Sequence, residues 1–180
     1  MLYFITSNTH KYTEVTRMTD IPIEQLNTTY PEIQADTLEE VAEFAIDYCY
    51  TILKAPCFIE DSGLFVAGLS GFPGVYSKYV FTTLGYTSIL QLLTDDKERT
   101  AHFKSVIVYH DGTRTTLFKG EVTGIIADEP RGSHGFGYDP IFIPDGASET
   151  FAQMSTEGKN LYSHRGKAFK RFITYIEQVR

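Results

Sequence analysis

Residues 58–64 read Phe-Ile-Glu-Asp-Ser-Gly-Leu. An apolar, β-favouring run enters two adjacent carboxylates, Glu60 and Asp61, and a small polar residue and a glycine follow. A strand bound for a buried core does not ordinarily stop on two like charges, because unpaired charges are expensive to bury. The stretch therefore reads as a strand whose end lies at a functional edge.

The elements upstream alternate. Leu2 to Thr6 reads as a buried strand, and Ser7-Asn8-Thr9-His10-Lys11 leads from it into a helical pattern ending near Met18. A second short strand begins at Ile21, and a turn-rich segment, TTYPEIQAD, runs to Thr37. Thr37 and Glu40 form a T-x-x-E capping box. Leu38, Val41, Ala42, Ala45, Cys49 and Ile52 then recur at helical spacing, and Pro56 separates this helix from the strand Cys57–Asp61.

Downstream the pattern changes. GLSGFPG, residues 68–74, is a glycine-rich loop, and Thr82 to Leu93 reads as a helix. Ala101 to Tyr109 and Thr115 to Ile126 alternate on either side of Asp111-Gly112, a hairpin signal. RGSHGFGYDP is a long loop. Ser163 opens a last amphipathic helix with Ala168, Phe169, Phe172, Ile173 and Ile176 on one face. Alternation followed by a hairpin predicts one mixed α/β domain over residues 1–180 rather than a purely parallel sheet.

The net charge of −7 argues against a nucleic-acid polymer as partner, since such binding rests on excess cations. It leaves room for a small polyphosphate, which needs only a few converging cations. No apolar run approaches the ~20 residues of a membrane span. MLYFITSNTHKY lacks the basic leader and cleavage site of a signal peptide. Cys49 and Cys57 are expected as small buried hydrophobes rather than a disulfide. A cytoplasmic protein is the expectation.

Four segments carry candidate chemistry. Ser7 to Lys11 sits where a helix starts, so unpaired N–H groups, the Ser7 and Asn8 side chains and the Lys11 charge can gather an anion. An ordinary capped turn is the alternative, and the glycines of a Walker loop are absent. Glu60 and Asp61, with Glu32 upstream, offer oxygen ligands for a hard cation such as Mg²⁺, and a carboxylate beside it can orient a water. The bland alternative is a turn cap with a solvated neighbour. Phe136 and Tyr138 flank Gly137, placing two rings that could stack on a flat base in one loop, or simply pin the loop to the core. Finally, His164 and Arg165 follow the N-cap Ser163. Cations there oppose the helix dipole, which favours presentation to a ligand over exposure, and Lys159 lies nearby.

In this order and spacing, SNTHK, IEDSGL with GFPGVYSKYV, GFGYDPIF, TFAQM and NLYSHRGKAF resemble the Ham1, or inosine triphosphate pyrophosphatase, family, and its archaeal-type members above all. The resemblance implies an α/β fold with a long, mixed, twisted sheet, flanking helices and two lobes around a central nucleotide-binding cleft, usually as a homodimer. It implies Mg²⁺-dependent hydrolysis of ITP, dITP and XTP to monophosphate and pyrophosphate, cleansing the pool of deaminated purines. By position, Ser7, Asn8, Thr9, His10, Lys11 and Tyr12 resemble the triphosphate loop. Asp61 resembles the proton acceptor and metal ligand, Glu32 the second acidic ligand, and Ser62 a substrate contact. Phe136, Gly137, Tyr138 and Asp139 resemble the base-binding loop. Lys159, His164 and Arg165 resemble the remaining nucleotide contacts. Two positions depart: Ala45 stands where many relatives carry lysine, and Tyr138 where many carry tryptophan. A Maf-like pyrophosphatase and a non-catalytic module that sequesters ITP or XTP are the competing expectations.

Overall fold

The computed structural model describes residues 1–93 and 98–179; the remainder of the expected 1–180 domain lies outside the described residues. Among the described residues, six strands and six α-helices follow one another as β1 (Leu2–Ile5), α1 (Thr9–Thr16), β2 (Ile23–Leu26), α2 (Leu38–Leu53), β3 (Cys57–Val66), α3 (Ser77–Leu84), α4 (Thr87–Leu92), β4 (Thr100–His110), β5 (Thr115–Ile126), β6 (Phe142–Pro144), α5 (Thr156–Tyr162) and α6 (His164–Val179). The strands form one sheet in the order β2-β1-β3-β4-β5-β6. β1 runs parallel to β2 and β3, and every other pairing is antiparallel.

The layering follows from side-chain alternation. On β3, Phe58 faces Val15 of α1 and Phe169 and Phe172 of α6. Its neighbour Ile59 faces the other way, onto Ala42, Ile46 and Cys49 of α2. Helices α1 and α2 therefore lie on opposite faces of the sheet, and the chain changes sides between β1 and β3. Such a switch point leaves a crevice beyond the carboxyl ends of the strands. Here the crevice is a gap in the sheet: β1 pairs with β3 only at Tyr3↔Cys57 and Phe4↔Phe58, and β3 runs on without it.

A third cluster packs Leu64, Val66, Phe103, Val122, Phe142 and Phe151 at the far end of β3, β4 and β5. These long strands thus carry two lobes, one on each side of the gap. Burying each large apolar side chain contributes roughly 1.5–3 kcal/mol. α2 starts at the capping box: the Glu40 N–H donates to Thr37 Oγ1 at 3.2 Å, and the Thr37 N–H donates to Glu40 Oε2 at 3.1 Å.

Three expectations are corrected. The strand at Glu60-Asp61 does not end there; its pairing with β4 continues from Asp61↔Val106 to Val66↔Ala101. A polar stretch survives inside a strand because this edge borders the cleft and not the core. The helix expected over Thr82–Leu93 is two short helices, α3 and α4, separated at Gly85, whose φ of 69° no helix accepts. The second strand, expected from Ile21, spans Ile23–Leu26.

Candidate active site

The cleft encloses 1440 Å³, and Ser7, Asn8, Thr9, His10 and Lys11 are among the residues that line it. Asn8 caps α1, its Oδ1 accepting the N–H groups of His10 (2.9 Å) and Lys11 (3.2 Å). Lys11 reaches across the gap: its Nζ lies 2.8 Å from Glu60 Oε2 and donates to the Glu60 carbonyl at 3.1 Å. It thereby satisfies part of the β3 edge that β1 leaves open. Tyr12 is the exception among the expected loop residues. Its hydroxyl donates to the Ile23 carbonyl at 2.9 Å and its ring packs on the α1–α6 side, so it does not line the cleft. One residue further along a helix is about 100° around it, enough to turn a side chain from cleft to core.

The adjacent carboxylates coexist because strand neighbours point to opposite faces. Glu60 turns toward α6 and is 5% exposed. Ser105 Oγ donates to it at 2.6 Å, and Arg165 Nε lies 3.2 Å away. Burial alone would raise its carboxyl, but Arg165 and then Lys11 outweigh that and hold it well below the usual range. Asp61 turns toward Tyr30 and the α2 face. It accepts the Ser62 N–H at 2.9 Å, and no lysine or arginine ion-pairs with it among the described residues. Burial pushes its carboxyl up, against Lys11 and with help from Glu60 and Glu32. Nearby, burial and Asp61 push the Tyr30 hydroxyl up to about 12. Glu60 is thus an internal anchor, while Asp61 has no ion-pair partner among the described residues.

Glu32 lines the same cleft, where its Oε1 accepts from Lys78 Nζ at 2.6 Å. Among the described residues no group of three His, Cys, Asp or Glu side chains could hold a metal. Asp61 and Glu32 are nonetheless hard oxygen donors, and Mg²⁺ commonly takes one or two protein carboxylates, completing its shell with water and phosphate. An unpaired, half-buried Asp61 fits that pattern.

Phe136 also presents its ring to the cleft, with Lys159 Nζ 4.9 Å and the Arg165 guanidinium 5.5 Å from its centroid. The loop is pinned from below. Asp139 Oδ2 accepts the Phe136 N–H at 2.8 Å and Lys159 Nζ at 2.6 Å. Tyr138 is buried, and its hydroxyl donates to the Ser77 carbonyl at 3.0 Å, so it braces the loop rather than offering a free ring. The Ser77 hydroxyl accepts the Leu64 N–H at 2.8 Å and donates to the Gly74 carbonyl at 2.6 Å, joining this loop to β3 and the glycine-rich turn. Gly137 adopts φ 65°.

The start of α6 seats His164 and Arg165. Gly120 on β5 makes this possible, since a Cβ there would lie 2.0 Å from the His164 carbonyl oxygen. The Ser163 hydroxyl caps the helix by accepting the Gly166 N–H at 3.0 Å. Both side chains are buried rather than displayed on a first turn: His164 is 3% exposed and Arg165 1%. His164 stacks on Phe103 at 4.6 Å, its Nδ1 has no hydrogen-bond partner among the described residues, and burial, then Arg165, keep it neutral. Arg165 Nη2 donates to Ser62 Oγ at 3.0 Å, and Nη1 donates to Glu14 Oε2. Its partners therefore span α1 and β3.

Sequence reasoning missed Glu14. It is 5% exposed and joins Arg165 to Lys159, whose Nζ lies 2.7 Å away. Burial would raise its carboxyl, but Arg165 and Lys159 prevail and hold it below the usual range. Asp139, Lys159, Glu14, Arg165, Glu60 and Lys11 thus alternate in sign across the floor of the cleft. The only sequence signal was a glutamate beside Val15 on the inner face of α1, and it pairs with nothing nearby in sequence. Lys78 was also missed, although it lies inside the quoted GFPGVYSKYV.

These features define an α/β protein whose cleft suits a ligand with an anionic tail and a flat ring. Comparison with known proteins carries this further: the Ham1 family profile matches residues 2–175, and the chain belongs to the Ham1 family. It is 53% identical to the dITP/XTP pyrophosphatase of Thermococcus kodakarensis, over 98% of this chain and 97% of that protein. It is 49% identical to the dITP/XTP pyrophosphatase of Pyrococcus horikoshii, over 98% and 96%. Among solved structures, the Staphylococcus aureus Ham1 protein superposes with a TM-score of 0.85 at 29% identity, each chain covered in full. A HAM1 protein from Coxiella burnetii gives 0.85 at 30%, over 99% of this chain and 100% of that one.

Proposed function

We propose that this protein hydrolyses the triphosphates of deaminated purines, dITP, ITP and XTP, to the nucleoside monophosphate and pyrophosphate. The observation that carries the proposal is the position of Asp61, an unpaired carboxylate in one cleft with the Asn8-capped start of α1 and the Phe136 ring. The relatives named dITP/XTP pyrophosphatase support the same chemistry.

In this mechanism the α1 N-terminus and Lys11 receive the phosphates. Asp61 orients a water and takes its proton as the oxygen bonds to the α-phosphorus; the α–β bridging bond breaks and pyrophosphate leaves. Positioning and charge dominate such transfers. Asp61 and Glu32 would hold Mg²⁺, which supplies charge neutralisation on the polyphosphate. Phe136 stacks on the base, and the remaining donors of Arg165 and Lys159 suit the 6-oxo acceptor of hypoxanthine or xanthine. Adenine presents a donor there, leaving buried donors unpaired at roughly 1–3 kcal/mol each. We further propose that the enzyme acts in the cytoplasm as a homodimer.

The test is a steady-state panel of ITP, XTP, dITP, GTP, ATP and dTTP with Mg²⁺, quantifying pyrophosphate and monophosphate. The expected result is turnover concentrated on ITP, dITP and XTP, falling about 10²–10⁴-fold in Asp61→Asn. Binding without turnover would mean a sequestering module, and preference for dTTP a Maf-like enzyme.

A further inference from the structure

His10 belongs to the segment that resembles a triphosphate loop, yet its ring does not address the phosphate end. It stacks on Phe136, with ring centroids 5.2 Å apart and planes inclined by 22°. The two rings come from different walls of the cleft: His10 from the first turn of α1, Phe136 from the loop before β6. His10 is exposed, and its ring makes no hydrogen bond among the described residues. Among the described residues, Phe136 is the one ring it stacks on.

The two rings differ in freedom. Phe136 is fixed by its N–H bond to Asp139, by the Lys159 ammonium 4.9 Å from its ring, and by the Tyr138–Ser77 bond two residues on. The His10 side chain can swing on its own bonds without disturbing the Asn8 cap, because Asn8 holds the His10 backbone N–H and not the ring.

We infer that His10 and Phe136 are the mobile and fixed jaws of an aromatic clamp, and that the purine inserts between them. With nothing between, the jaws close on each other, which is the arrangement observed. A purine between them exchanges one ring–ring contact for two ring–base contacts, and stacking of a base on an aromatic side chain is favourable whatever the base. The clamp would therefore set how tightly a purine is held, while the hydrogen-bonding groups behind Phe136 set which purine. This rests on the proposed nucleotide function and reassigns His10 from the phosphate end to the base.

The experiment compares wild type, His10→Ala and His10→Phe by KM and kcat for ITP, and by the inhibition constant of tripolyphosphate, which has an anionic tail and no base. Wild-type turnover of ITP tests the function itself, so failure there is separate from failure of the clamp. The clamp predicts a 5- to 20-fold higher KM for ITP in His10→Ala, with tripolyphosphate inhibition within twofold of wild type. His10→Phe restores KM to within about threefold, because a ring without charge or hydrogen bonds suffices. A lower KM in His10→Ala would show that the ring is an obstacle, and an unchanged KM that it is a bystander. Weakened tripolyphosphate inhibition, or a Phe variant as poor as Ala, would make His10 a phosphate contact. Each of these four results overturns the clamp.

Discussion

At the scale of single residues, the informative pair is Glu60 and Asp61. Side by side in sequence, they have opposite fates because a strand turns alternate side chains to opposite faces. Glu60 meets Lys11, Arg165 and Ser105, while Asp61 meets no cation of its own. Glu14 plays the part of Glu60 on the neighbouring element, sharing Arg165 and Lys159. Removing one member of a buried ion network leaves its partners uncompensated, a loss of about 3–5 kcal/mol. Glu14→Gln should therefore lower unfolding stability by that order at pH 7 and weaken ITP turnover, since Lys159 and Arg165 lose a shared anchor. The sign of the pH dependence follows from the depressed Glu14 carboxyl. Its contribution is complete above the unfolded value of 4.5 and is lost as pH falls through the folded one. Urea titrations at pH 7 and at successive steps below 4.5 should show the gap between wild type and Glu14→Gln closing on acidification. A gap that widens would mean that Glu14 is not held as a carboxylate.

At the scale of elements, the way α6 sits on β5 decides where His164 and Arg165 point. Gly120 permits contact between backbones, and a methyl group there would press on the His164 carbonyl and on the Ala168 nitrogen, 2.5 Å away. Overpacking costs about 1–3 kcal/mol. Because the helix's first turn lines the cleft, Gly120→Ala should reduce kcat/KM for ITP as well as stability. Full activity with reduced stability would show that α6 tolerates displacement. Much of this framework was legible. The capping box and apolar spacing marked α2, and the Asp111-Gly112 pair marked the β4–β5 hairpin. Less was legible where tertiary context overrides local pattern. The polar residues that suggested a strand end are in fact the cleft edge of a longer strand. Gly85 broke a helix that was read as continuous over Thr82–Leu93. Tyr12 was grouped with its sequence neighbours although the turn of α1 carries it into the core. The ion network across the cleft floor joins residues as far apart as Glu14 and Arg165, and no periodicity could have revealed that.

At the scale of the whole molecule, a chain of net charge −7 must bind a polyanion, so the cations must be local. Lys11 is engaged by Glu60, Arg165 and Lys159 by the buried network, and Ala45 adds no charge to the α2 wall. That leaves Lys78, among the described residues, as the exposed cation lining the cleft, held at Glu32, with side chains 73% and 68% exposed. Exposed pairs contribute at most about 1 kcal/mol, so this one is easily exchanged for stronger partners. On the proposed function, a metal-bound triphosphate would supply both: oxygens for Lys78 and a cation for Glu32. Such a contact holds substrate and transition state alike, and its loss should raise KM while leaving kcat nearly unchanged. Lys78→Ala is therefore expected to raise KM for ITP about three- to tenfold with kcat within twofold. The charge is solvated, so salt screens it. Wild-type KM should climb between 50 mM and 300 mM salt more steeply than the variant's. Parallel salt curves, or a loss confined to kcat, would place Lys78 outside phosphate binding and return the burden to Lys11 and the α1 N-terminus.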